Sequence, residues 1–343
     1  MWRRSSWSIG GCKVESSRTS EWRPRDESDG HTPSTLVHSG FAASRSRVYR
    51  GGMTIAACYL SSEGVVLGAD STTTISVGGF GSEHHFNFEQ KVFEIGEGDS
   101  LGAVVWGMGN IGTMSYRTFF AEVGDSLRST RPADMDSAAE RVAQLFWSVY
   151  SKEYDALLKE FATLKAIPTP TEEEKSKALY IESVLSGGLC LGGRCGSSRH
   201  PAAFVVTFGP DLAAAPKPEA LAVGTPKFWG VPNLIFRMIY GIDAAVVSDI
   251  LGSGKWQGTP EELVQTASKR MLILPRLLPI RDAIDWVYAS IYATIKAMKF
   301  SHLSPVCGGP IEIAMITTDR PFRWVRHKTF AMAIDHGVSD GGV

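Results

Sequence analysis

The chain has 343 residues, enough for one large domain or two ordinary ones, and its 43% hydrophobic and 21% charged content is that of a globular protein rather than a disordered or fibrous one. A formal net charge of −1 excludes any global attraction to nucleic acid or to an anionic membrane surface. Five cysteines (Cys12, Cys58, Cys190, Cys195, Cys307) are few, odd in number and mostly set in apolar stretches, which excludes a disulfide scaffold and points to a reducing, cytoplasmic compartment.

Residues 1–52 stand apart from the rest. They hold eleven serines, nine Lys/Arg and five Asp/Glu, with neither helical nor strand period and no apolar stretch long enough for a secretory signal. Such a segment buries too little surface to offset its ordering entropy and is expected to be disordered. Three explanations fit: a removable leader, an Arg- and Ser-rich transit peptide, or a true start at Met53. In each, residues 1–53 are absent from the mature protein, and 54–343 form a single domain. Of the 35 basic and 36 acidic residues, nine and five lie in 1–52, which leaves a mildly acidic remainder of 26 against 31.

Structure begins at Thr54. TIAACYL and VVLGAD read as buried strands joined by the turn SSEG, a hairpin. A polar, glycine-bearing loop, STTTISVGGFGSEHHFNFE, follows; then QKVFEIG and LGAVVWGMG make a second strand pair around GEGDS. The apolar runs are continuous rather than alternating, so these strands are expected to be covered on both faces. Helical period takes over in MSYRTFFAEVGDSLRS and in the long run DSAAERVAQLFWSVYSKEYDALLKEFATL, capped by Asp136 or Ser137. PTPTEEEKSKALYIESVL restarts a helix. Strands return with GGLCLGGRCG, PAAFVVTFG and EALAVG. A second helical block spans PNLIFRMIYGIDAAVVSDIL, TPEELVQTASKRMLIL and RDAIDWVYASIYATIKAMKF, and the hairpin GPIEIAMITTD/FRWVRHKTF closes the chain. Two strand blocks and two helix blocks predict an α+β fold with two packed sheets, each covered outside by helices: a four-layer αββα sandwich.

The chemistry-bearing residues fall at the strand ends. Were Thr54 the first residue, it would carry a nucleophile and its own base together, because an α-amine with a pKa of about 7.7–8 accepts the hydroxyl proton near neutrality. A lysine nearby favours the neutral amine by like-charge repulsion, and a carboxylate holds that lysine in place. Lys91 opens the third strand and Asp70 ends the second. Gly107 ends the fourth, where a bare backbone can present an N–H to an oxyanion.

These residues resemble the proteasome β subunits and the related bacterial protease subunit of the HslUV type. TIAACYLSSEGVVLGADS is similar to that family's N-terminal hairpin, with Asp70 sixteen positions after Thr54 as in the family. Lys91 opens a run, KVFEI, like the family's lysine strand, and Gly107 in VVWGMGN stands where its oxyanion glycine stands. AVGTPKFWG resembles the small-residue turn before the family's third helix, with Thr225 at a supporting serine's place. CGGPIEIAMITTD resembles its final Gly-Gly strand, and Ser304 and Cys307 occupy positions where the family keeps an aspartate and a serine. The resemblance covers nearly all of 54–335, with insertions near 160–185 and 253–280. It implies a threonine-type N-terminal-nucleophile hydrolase cleaving peptide bonds without a cofactor or metal. It further implies a homo-oligomeric ring acting on peptides or unfolded proteins, with an unfoldase as partner. A small-amide amidase and a degenerate structural subunit are the two alternatives.

Blander readings stand beside these. Asp70 is a plausible turn cap, and Lys91 a strand-edge gatekeeper. The hydroxyl run Ser71 to Thr74, with Thr73 at its centre, lines a substrate cleft or is simply a polar loop. Phe93 and Val105 floor an apolar specificity pocket or belong to the core. His84 and His85 beside Glu83 lack a third ligand at zinc-like spacing, and Cys190 and Cys195 lack a second pair.

Overall fold

Strand β1 (Ile55–Leu60) and strand β2 (Gly64–Ala69) are buried at every residue, and alternation explains how. Ala56, Cys58 and Leu60 point to one side, while Ile55, Ala57 and Tyr59 point to the other, so each face has its own apolar partner. The computed structural model describes residues 54–76, 83–97, 99–267, 269, 272, 277–301 and 306–328. The expected leader, 1–53, lies outside the described residues, as does Ser304.

Two five-stranded antiparallel sheets carry the fold. The first holds β1 and β2 with β10 (Pro226–Gly230), β11 (Glu312–Thr317) and β12 (Arg323–Arg326), in the order β10-β1-β2-β11-β12. The second is β5 (Val92–Glu94), β6 (Leu101–Trp106), β7 (Gly187–Gly193), β8 (Ala202–Phe208) and β9 (Glu219–Ala220), in chain order. Between them lies one apolar cluster, with Leu67, Val65 and Ile316 from the first sheet against Val104, Cys190 and Val205 from the second.

Eight helices are described. Helix α1 (Tyr116–Ser129) and helix α2 (Met135–Glu153) lay Phe119, Phe120, Val142 and Phe146 on the outer face of the second sheet, against Phe93, Val105, Leu191 and Phe208. Helix α3 (Asp155–Lys165) and helix α4 (Glu172–Leu185) extend that cluster through Phe161, Ile181 and Leu185. Helix α5 (Asn233–Tyr240) and helix α8 (Ile280–Lys299) cover the first sheet instead. Ala283, Ile284, Val287 and Ile291 of α8 recur at helical spacing and meet Ile55, Ala57 and Val66. Helix α6 (Ala244–Gly252) and helix α7 (Pro260–Ala267) complete the set. Among the described residues no helix is long and apolar enough to cross a membrane.

Several expectations are corrected here. The polar stretch after Asp70 contains a two-stranded ribbon, β3 (Thr73–Ser76) with β4 (Glu83–Phe86), the latter carrying His84 and His85. The long helix breaks at Tyr154, which leaves helical geometry while its hydroxyl accepts from Gly112 N–H and donates to Asn110 C=O. Its start is capped two residues before Asp136, by Asp134, whose Oδ1 accepts from Ser137 N–H at 2.8 Å. The apolar run 233–252 splits because Asp243, paired with Arg237, caps a new helix by accepting from Val246 N–H. PKFWG is strand β10, not a turn; it adds to the free edge of β1, in a pairing the local sequence does not announce.

Candidate functional site

Thr54 opens β1 with only 4% of its surface exposed, held from two sides. Its carbonyl accepts from Val231 N–H at 2.9 Å, and the next amide, Ile55 N–H, donates to Asp70 Oδ1 at 3.0 Å. Gly230 pairs with Ile55 across the β1–β10 ladder. At φ 86° Gly230 adopts a left-handed conformation, and a Cβ there would sit 1.9 Å from the Thr54 carbonyl oxygen.

Asp70 is wholly buried and gathers four donors. Oδ1 takes Ile55 N–H and the Lys91 ammonium, the latter at 2.8 Å; Oδ2 takes Thr72 N–H at 3.2 Å and Gly308 N–H at 2.9 Å. A carboxylate is tolerated without solvent only when its lone pairs are so satisfied. Lys91, itself buried, also donates to the Thr72 carbonyl. Thr72 in turn donates through its hydroxyl to Asn87 Oδ1 at 2.8 Å. The Asp70–Lys91 pair joins the end of β2, in the first sheet, to the start of β5, in the second.

Gly107 closes β6 at the same end of the molecule. Its φ of 87° is left-handed, and a Cβ would fall 2.4 Å from Gly187 Cα. The link to Thr54 runs through rings. Trp106, the residue before Gly107, stacks on Trp229, the residue before Gly230, with centroids 4.4 Å apart and planes 6° from parallel. Thr73, partly buried on β3, brings its hydroxyl to this turn: it would be 3.4 Å from a Cβ on Gly109.

The remaining expected positions divide. Cys307 lies at the site, buried, one residue before the Gly308 amide that binds Asp70. Burial, and secondarily the negative charge of Asp70 against the opposing charge of Lys91, push its thiol up to about 12. Thr225 is not brought to Thr54. It is exposed and precedes Pro226, which pairs with Tyr59 at the far end of β1, roughly 17 Å of strand away. Phe93 and Val105 face the helices: Phe93 packs on Phe120 at 5.0 Å between centroids, and both residues belong to the cluster under α1 and α2.

A second set of charges behind Lys91 escapes sequence reading. Glu312, wholly buried on β11, pairs with Lys328 at 3.3 Å and His327 at 3.4 Å. Burial raises the carboxyl pKa of Glu89, against the attraction of Lys91, Lys328 and Arg117, while burial lowers Lys328 against the pull of Glu312. The available signal was the single acid in the apolar run PIEIAMIT; nothing in the sequence ties it to Lys328.

No protein-family model matches the chain, and no curated protein sequence matches it. Solved structures that match include Anbu (ancestral beta-subunit) from Yersinia bercovieri, 13% identical over 82% of this chain and 91% of that one, with a TM-score of 0.45. A helical assembly of the Anbu complex from Pseudomonas aeruginosa is 15% identical over 82% and 90%, with a TM-score of 0.46. Anbu from Hyphomicrobium sp. strain MC1 is 12% identical over 80% and 86%, with a TM-score of 0.42. The assignment to proteasome β subunits and the HslUV-type subunit is corrected accordingly: no family model supports it, and the solved structures named above are of Anbu. The functional reading rests on the residues of this chain.

Proposed function

We propose that the chain is an amidohydrolase of the N-terminal-nucleophile type, with an αββα layer order, acting on small amides or short peptides. The observation that carries this is the clamp on the first strand: one buried carboxylate, Asp70, binds both the amide next to Thr54 and the ammonium of Lys91. In this reading residues 1–53 are removed, and the Thr54 amine takes the proton from its own hydroxyl. Thr54 Oγ attacks the amide carbonyl, and the Gly107 N–H receives the developing oxyanion. Lys91 keeps the amine neutral, Asp70 holds Lys91, and Cys307 packs behind both.

A second reading is a subunit that keeps the fold without turnover: the buried Asp70–Lys91 pair ties the two sheets together whether or not Thr54 reacts. Either form assembles with copies of itself, through the exposed Met238, Tyr240, Tyr292 and Phe300 on and beside α5 and α8.

The test starts translation at Met53, confirms Thr54 as the first residue by intact mass, and assays a panel of small amides and peptide amides. The Thr54→Ala variant should lose a thousandfold or more, on the order expected for a nucleophile. Turnover unchanged in that variant rules out the mechanism. A wild type with free Thr54 that neither hydrolyses an amide nor reacts with an N-terminal-threonine-directed electrophile establishes the second reading.

A further inference from the structure

The candidate nucleophile and the candidate oxyanion donor sit on different sheets, Thr54 on the first and Gly107 on the second. Catalytic geometry tolerates errors of only about 0.5 Å, so something must fix one sheet against the other at this end. The sequence carries the dipeptide Trp-Gly at both places, Trp106-Gly107 and Trp229-Gly230. The two glycines share nearly the same left-handed φ, 87° and 86°. Gly230 sits against the Thr54 carbonyl, and Gly107 bears the amide that the amidohydrolase reading assigns to the oxyanion. The two indoles stack flat across the gap between the sheets. Gly188 makes room for this: a Cβ there would lie 2.3 Å from the Trp106 ring.

We infer that Trp106 and Trp229 are positioning residues that set the distance between Thr54 and the Gly107 amide, an inference that rests on the amidohydrolase reading above. Each indole is one peptide away from the glycine it controls. Sliding one ring past the other therefore rotates the Gly107 peptide or shifts β10 under Thr54. The Asp70–Lys91 pair ties the same two sheets through charge and sets protonation. The ring pair ties them through contact and sets spacing. Neither indole contributes an atom to the reaction.

The experiment compares the mature protein with Trp106→Leu, Trp229→Leu and Trp229→Phe in three readouts. Circular dichroism should show the exciton couplet of stacked indoles in the wild type and lose it in all three variants. Covalent modification of Thr54 by a peptide epoxyketone, in which the hydroxyl adds to the ketone and the amine opens the epoxide, should fall tenfold to a hundredfold in maximal rate in the Leu variants. Its half-saturation should hold, and Trp229→Phe should recover most of the rate because a flat ring remains. Hydrogen exchange should quicken at residues 107–112 in Trp229→Leu although the substitution lies on the other sheet. An absent couplet in the wild type overturns the inference. So does an unchanged maximal rate in the Leu variants, or a change confined to half-saturation, which would make the rings a substrate wall. If the wild type is not modified by the epoxyketone at all, the amidohydrolase reading fails, and the exchange result decides alone. Quickening across the sheets upholds the coupling, and its absence removes it.

Discussion

Asp70 answers to four donors from four stretches of chain, and that makes it the least replaceable side chain at the site. Asparagine keeps the size but turns an NH2 group toward one pair of those donors. Asp70→Asn should therefore destabilise the fold by about 1–3 kcal/mol as buried donors go unmet, read as a lower midpoint in urea unfolding. Lys91→Met leaves a buried carboxylate without its counter-ion, a change that costs about 3–5 kcal/mol in comparable pairs. Unfolding midpoints equal to wild type in both variants would show that the carboxylate is not buried. Cys307 gives a pH test. Its folded pKa, pushed up to about 12, lies above the usual thiol value of about 8.5. The folded form thus holds its proton where the unfolded form releases it. The stabilisation is complete below about pH 8.5 and is lost as pH climbs toward 12. Cys307→Ser should flatten the fall in melting temperature between pH 8 and pH 10.5. Iodoacetamide at pH 8 should leave Cys307 unmodified until the protein unfolds.

Among the elements, β10 decides the fate of Thr54, and its last residue tolerates no side chain. Gly230→Ala should displace the β1–β10 pairing at Ile55 and lower stability by 1–3 kcal/mol, since both a left-handed φ and a close carbonyl oppose it. A crystal structure with the Thr54–Val231 hydrogen bond intact in that variant would refute this. Asp134→Ala, which removes the α2 cap, should cost about 1 kcal/mol and leave the site unaltered. The hairpins β1–β2, β5–β6 and β11–β12 were legible in the sequence because each pairs neighbours through a short turn, and Thr54, Asp70, Lys91 and Gly107 were found at their ends. β10 was not legible, because its partner lies 170 residues earlier in the chain and PKFWG carries as many turn signals as strand signals. Phe93 and Val105 keep two readings in the sequence, pocket floor or core, for a different reason. A strand covered on both faces shows the same apolar text on each, so the sequence does not tell which face is which.

At the scale of the whole molecule, the cluster between the sheets is the largest shared commitment of the two halves. Leu67→Ala there should cost about 2–5 kcal/mol and should lower the calorimetric transition as one peak; two peaks would mean that the sheets melt separately. The spacing of the site's parts along the chain has a consequence for biosynthesis. Ile55, Asp70, Thr72 and Lys91 lie near the amino end, but the fourth ligand of the carboxylate, Gly308 N–H, arrives 238 residues after it. A chain emerging from the ribosome amino end first therefore keeps this carboxylate hydrated, with water in place of the Gly308 amide, until the last strands are made. The order of translation thus acts as a timer, and the charge set around Thr54 is completed only when nearly the whole polypeptide has been made.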